Sequence, residues 1–102
     1  MVKHIVLWKM KESSAHGSRK EACAHIKFEL ESLKNEIEGL VHIEVEPAFN
    51  EEGILALYSV FTSREALDAY IAHPRHLAVR EYAKEAASGR YIGDLSLIHI
   101  SE

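Results

Sequence analysis

Apolar and polar residues alternate along the first ten positions, which predicts an opening strand over residues 2–10. One face carries Val2, His4, Val6, Trp8 and Met10, apolar except for His4; the other carries Lys3, Ile5, Leu7 and Lys9, apolar at its centre. Such a strand is expected to be covered on both faces for much of its length. Ser13 to Ser18 reads as a polar connector. From Ser18 to Glu38 the spacing becomes helical: Ala22, Cys23, Ile26, Leu30, Leu33 and Ile37 recur on one stripe, and Gly39 supplies the stop. Leu40 to Glu46 alternates again, with Val41, Ile43 and Val45 against His42, Glu44 and Glu46, and Pro47 closes that strand. Ile54 to Phe61 is almost wholly apolar, as a central strand would be. Thr62-x-x-Glu65 has the form of a capping box opening a helix through Ala66, Leu67, Tyr70 and Ile71. A second helical run begins at Pro74 and ends near Ser88-Gly89. Arg90 to Ile100 reads as a last strand, apolar on both sides apart from Asp94, Ser96 and His99.

The order βαββαβ predicts an α+β, ferredoxin-like fold: a four-stranded antiparallel sheet with both helical regions on one face. Helices can cover only that face, yet the first, third and fourth strands look apolar on both. An uncovered apolar sheet face marks an interface. The pattern therefore predicts a homodimer joined face to face through its sheets, with His42, Glu44 and Glu46 at the rim. The 102 residues make one domain, 1–102, with no internal repeat or linker.

Composition narrows the partners. The chain is 47% hydrophobic and 27% charged, with a net charge of −4, and Lys and Arg are interspersed with Glu, so no basic stripe suits nucleic acid. No apolar run approaches the ~20 residues of a membrane span, and Met1 leads into a strand pattern rather than a secretory leader. The single Cys23 excludes an internal disulfide framework and fits a reducing cytoplasm. Its place on the apolar stripe suits a small core residue better than a nucleophile.

Candidate chemistry concentrates in Tyr70-Ile71-Ala72-His73-Pro74-Arg75-His76, three proton-handling side chains on one turn. His76, in the first turn of a helix, suits a general base, and Tyr70 suits an oxyanion donor; plain packing is the competing use of each. His73 stands at the helix boundary, where capping competes with ligand contact. His4 interrupts an apolar strand face and needs a polar partner, which a ligand cavity or a dimer seam could supply. Trp8 could line a pocket or simply pack. The i, i+3 spacing of His73 and His76 lacks the third and fourth ligands of a zinc site, so no metal is expected, and no nucleotide or phosphate-binding fingerprint is present.

Over nearly its whole length the chain resembles the stress-responsive dimeric α/β-barrel family. The resemblance rests on Val2-Lys3-His4-Ile5-Val6-Leu7-Trp8-Lys9, on Phe61-x-Ser63-x-Glu65-Ala66-Leu67, on Tyr70 with His73-Pro74-x-His76, and on Arg90-x-x-x-Asp94. It implies two ferredoxin-like subunits whose sheets close into a barrel. It also implies a range of functions, since the family includes plant stress-induced proteins and a plant polyketide cyclase. That cyclase's tyrosine and second histidine, which carry an aldol-type ring closure, fall on Tyr70 and His76. Its strand-one histidine falls on His4, while a third-strand histidine is replaced here by Leu55. The fold is shared with cofactor-free monooxygenases and haem-degrading enzymes. Two readings follow: a dimer binding a small apolar carbonyl or aromatic compound, with cofactor-free acid/base chemistry by His76 and Tyr70 and with His4, His73 and Trp8 contacting the ligand; or a non-catalytic, stress-associated structural dimer.

Overall fold

A computed structural model gives the fold, and it describes residues 1–96. Strand β1 (Val2–Met10) runs the predicted length. The expected polar connector is a small hairpin, β2 (Ser13–Ser14) and β3 (Gly17–Ser18). Helix α1 (Arg19–Glu31) opens on a capping box, in which the Ser18 hydroxyl accepts from the Glu21 N–H and the Glu21 carboxylate accepts from the Ser18 N–H.

Helix α1 stops well short of Glu38. The Ser32 hydroxyl donates to the Glu29 carbonyl, and the chain tightens into three-residue turns, with Leu33 N–H on Leu30 O and Glu36 N–H on Leu33 O. Leu33 and Ile37 remain buried, because successive tight turns keep them on the side the helix would have used. Gly39 then reverses the chain at φ +86, where a Cβ would stand 2.6 Å from that of Ala66.

Strands β4 (Leu40–Pro47) and β5 (Ile54–Phe61) follow as expected. The predicted Thr62 cap shifts by one residue. Thr62 N–H is held by the Gly39 carbonyl, and the Ser63 hydroxyl instead caps α2 (Arg64–Ala72) at Ala66 N–H, so no Thr62–Glu65 box forms. Helix α3 (Pro74–Ala86) begins at the proline. Strand β6 (Ala87–Ser96) starts directly after it, which puts Ser88 and Gly89 in the strand rather than at the helix end. The rest of the predicted last strand, with His99, lies outside the described residues.

The four long strands form one antiparallel sheet in the order β4-β5-β1-β6. All three helices pack on one face, and the core lies between them and Val2, Val6, Trp8, Val45, Leu55, Leu57 and Phe61. Each fully buried side chain of this kind contributes roughly 1.5–3 kcal/mol. The other face is bare: Ile5, Tyr58 and Val60 are half-buried, and Leu7, Tyr91 and Leu95 are exposed. Edge strand β6 is exposed nearly throughout, and its inner face carries Arg90 and Ile92 beside Asp94 and Ser96, the polar exceptions expected there. No helix among the described residues is long and apolar enough to cross a membrane.

Candidate functional site

The gap between β6 and the helices holds a cavity of about 160 Å³. His4, Val6 and Trp8 reach it from β1, Leu57 from β5, Tyr70 and Ile71 from α2, His76, Val79 and Arg80 from α3, and Arg90 and Ile92 from β6. The strand residues arrive by alternation, since each second side chain faces the helices. On α3 the spacing of His76, Val79 and Arg80 does the same at helical period.

Tyr70 is the centre of the arrangement. Its ring is fully buried, 4.6 Å from the His76 ring, 5.9 Å from the His4 ring and 5.2 Å from Phe61, all edge-on or tilted. Its hydroxyl is buried and has no hydrogen-bond partner among the described residues. A buried unsatisfied hydroxyl costs roughly 1–3 kcal/mol. Burial also pushes its pKa far above the ordinary tyrosine range, so the group is a phenol with a proton to donate.

His76 is oriented by the chain itself. Its Nδ1–H donates to the Ile71 carbonyl at 2.9 Å, where the last turn of α2 leaves that oxygen free. Nε2 is then the lone-pair nitrogen. Burial is the main cause holding its pKa below the ordinary histidine value, and the charges of His4, Arg80 and Arg90 add to it. The imidazole is neutral at physiological pH, as a base requires.

His4 is buried and satisfied on one side: its Nδ1–H donates to the Asp94 carboxylate at 2.5 Å. These two residues are direct cross-strand neighbours in the β1–β6 pairing. The Asp94 contact fixes the orientation of the ring and puts the Nδ1 proton in the shared bond. Behind it, buried Ser59 donates to the His4 carbonyl at 3.1 Å and ties β5 to the same point.

Of the residues singled out in the sequence, Tyr70, His76, His4 and Trp8 meet at this cavity. His73 does not: it lies outside the lining, at the start of α3, where its Nδ1 accepts from the Arg75 N–H at 3.1 Å. Pro74 fixes the turn that lets Tyr70 end one helix and His76 begin the next. Cys23 is half-buried against the core, its thiol pKa raised by burial. Asp94, Arg80 and Arg90 were not picked out as site residues by sequence reasoning. Two signals could have found them: the shared face of Arg90, Ile92 and Asp94 on one strand, and the i, i+4 spacing of His76 and Arg80 on one helix.

The comparisons with known proteins agree with this fold. No curated protein matches the chain. Among solved structures, a dimeric protein of unknown function and ferredoxin-like fold from Bacteroides fragilis is 30% identical, with 94% of this chain and 95% of that one aligned at a TM-score of 0.82. A protein from Arabidopsis thaliana aligns over 100% of both chains at 21% identity and a TM-score of 0.78. A Nitrosomonas europaea protein assigned to antibiotic biosynthesis monooxygenases aligns over 97% of this chain and 100% of its own, at 16% identity and a TM-score of 0.78. The last two show the fold alone. The profile of the Stress responsive A/B Barrel Domain matches residues 2–97, nearly the full length, and the chain belongs to that family.

Proposed function

We propose that the protein is a homodimer that binds a small carbonyl or aromatic compound in the Tyr70 cavity and acts on it by cofactor-free acid/base chemistry. The observation that carries this reading is the Tyr70 hydroxyl, buried between two histidine rings with nothing in the described chain to bond. A fold that leaves such a group unsatisfied gains the missing bond when a ligand supplies an acceptor. A ligand carbonyl oxygen meets that need. His76 Nε2 removes a proton from the carbon next to the carbonyl, Tyr70 donates to the oxygen as negative charge builds there, and His76 returns the proton to the product. His4, held by Asp94, offers a second acceptor for a hydroxyl or enol proton, and Trp8 packs against the apolar body.

The bare sheet face supports the dimer. Leu7, Tyr91 and Leu95 are 38%, 74% and 51% exposed in the single chain, beside half-buried Ile5, Tyr58 and Val60. A row of this kind is an interface awaiting its partner, and the Bacteroides fragilis relative is described as dimeric.

Acetophenone tests the chemistry, because deuterium exchange at its methyl group is followed directly by NMR. Exchange is expected to be catalysed by the protein and to fall roughly 100-fold or more in His76→Ala and in Tyr70→Phe. Unchanged exchange and binding in both variants, with stability alone lowered, would leave the histidines and Tyr70 structural. Leu7→Asp is expected to halve the mass in solution at micromolar concentration; a monomeric mass for the unaltered protein would remove the dimer.

A further inference from the structure

We propose that Arg80 and Arg90 form an anion clamp at the mouth of the Tyr70 cavity, so that its ligand carries a carboxylate or phosphate at the end remote from the reacting carbonyl. The clamp rests on the binding reading above and names the class of ligand. Both arginines line the cavity, and both also line an adjoining hollow of about 210 Å³ with Trp8, Lys84 and Ser88. They therefore mark the junction between an enclosed end, with Tyr70, His4 and His76, and an open end.

Neither guanidinium has a hydrogen bond or ion-pair partner among the described residues. Arg19 and Arg75 are used differently: Arg19 donates to the Met10 carbonyl and pairs with Glu52, and Arg75 pairs with Glu36 and Glu29. Two acids close to the clamp along the chain are engaged elsewhere. Asp94, on the same strand face four residues after Arg90, is bound to His4, and Glu81 pairs with Lys84. The chain has 16 acidic residues against 12 basic ones, so two unpaired guanidiniums at one cavity do not follow from a surplus of bases. Each presents a planar fork of N–H donors matched to a carboxylate or phosphate, and each stands at the exposed rim of a cavity whose wall includes buried Trp8 and Val79. Both charges also reach His76, which they help keep unprotonated. An anion seated between them offsets that push and makes the base stronger only when ligand is present.

Benzoate, phenyl phosphate and acetophenone, titrated calorimetrically against the full chain, test the clamp. The expected result is that one or both anions bind roughly tenfold or more tightly than acetophenone, with the advantage shrinking as salt rises. The better anion identifies carboxylate or phosphate as the natural group. R80Q/R90Q brings the anions down to the level of acetophenone, while Arg64→Gln, outside the cavity, keeps the preference. Acetophenone binding with no preference for the anions, or a preference surviving in R80Q/R90Q, overturns the clamp and leaves the cavity reading standing. Failure of all three compounds to bind overturns both.

Discussion

Two tyrosines in this molecule each stand between two histidines; the first group lines a cavity, and the second is a stack of rings. Around Tyr70, His4 and His76 meet the ring edge-on or tilted, at 5.9 and 4.6 Å. Around Tyr82, His16 and His25 are stacked at 4.0 and 4.1 Å with planes within 30° of parallel. Two rings that close to one tyrosine can only lie on its opposite faces, so Tyr82 is sandwiched on the outside of the fold. Stacking consumes the π-faces and leaves no void. The tilted group keeps a cavity open, with a hydroxyl and imidazole nitrogens facing it. His16 Nε2 does lie 3.3 Å from the Glu85 carboxylate, but outside hydrogen-bonding geometry. The same residue types thus give a structural plug in one place and a candidate reaction site in the other. What separates them is ring orientation and burial.

The comparison can be broken most forcefully by deleting each central ring. Tyr70→Ala empties a fully enclosed site and is expected to cost roughly 3–5 kcal/mol in chemical denaturation. Tyr82→Ala, at a half-exposed position, should cost on the order of 1–2 kcal/mol. Equal losses would mean the two groups are equivalent supports.

A gentler change separates the roles. Tyr70→Phe removes a hydroxyl that has no partner among the described residues, so stability should hold or rise by about 1 kcal/mol while catalysed exchange of acetophenone is lost. Tyr82→Phe should alter neither. A Tyr70→Phe variant that is destabilised would show that the hydroxyl has a structural partner after all.

The pH dependence sharpens the contrast further. In the unfolded chain His76 titrates near its ordinary value of ~6.5; in the folded protein burial holds it lower. Between those two values the unfolded chain binds a proton that the folded one refuses. Stability should therefore fall as pH drops through about 6.5 and level off below the folded pKa. His76→Gln should flatten that part of the slope, read as the urea midpoint from about pH 8 to about pH 5. An unaltered slope would place His76 in water. The smallest effect belongs to the outer group: Glu85→Gln should change stability by about 0.5 kcal/mol or less, because the Glu85 carboxylate is exposed and the contact is poorly aligned.

Much of the fold was legible along the chain because its signals are local. Alternation marked β1 and β4, an almost wholly apolar run marked β5, Pro74 marked the break between α2 and α3, and the uncovered apolar face of the sheet was visible as strands apolar on both sides. Local signals also misled in predictable ways. The apolar stripe ran on past Glu31 because tight turns keep Leu33 and Ile37 on the same side as a helix would. Thr62 and Ser63 are both capable caps, and the one chosen depended on a bond from Thr62 to Gly39, more than twenty residues away.

The site divides along the same line. By itself the sequence determined that His4 interrupts an apolar face, that Tyr70 and His76 flank a helix break, and which family the chain resembles. Only the tertiary structure decided that Asp94 stands opposite His4, that Arg80 and Arg90 line one cavity, and that the Tyr70 hydroxyl has no partner among the described residues. The reason is the register between β1 and β6. Those strands are about ninety residues apart, and their alignment is set by which side chains pack inward once the sheet closes, a condition that no single segment carries.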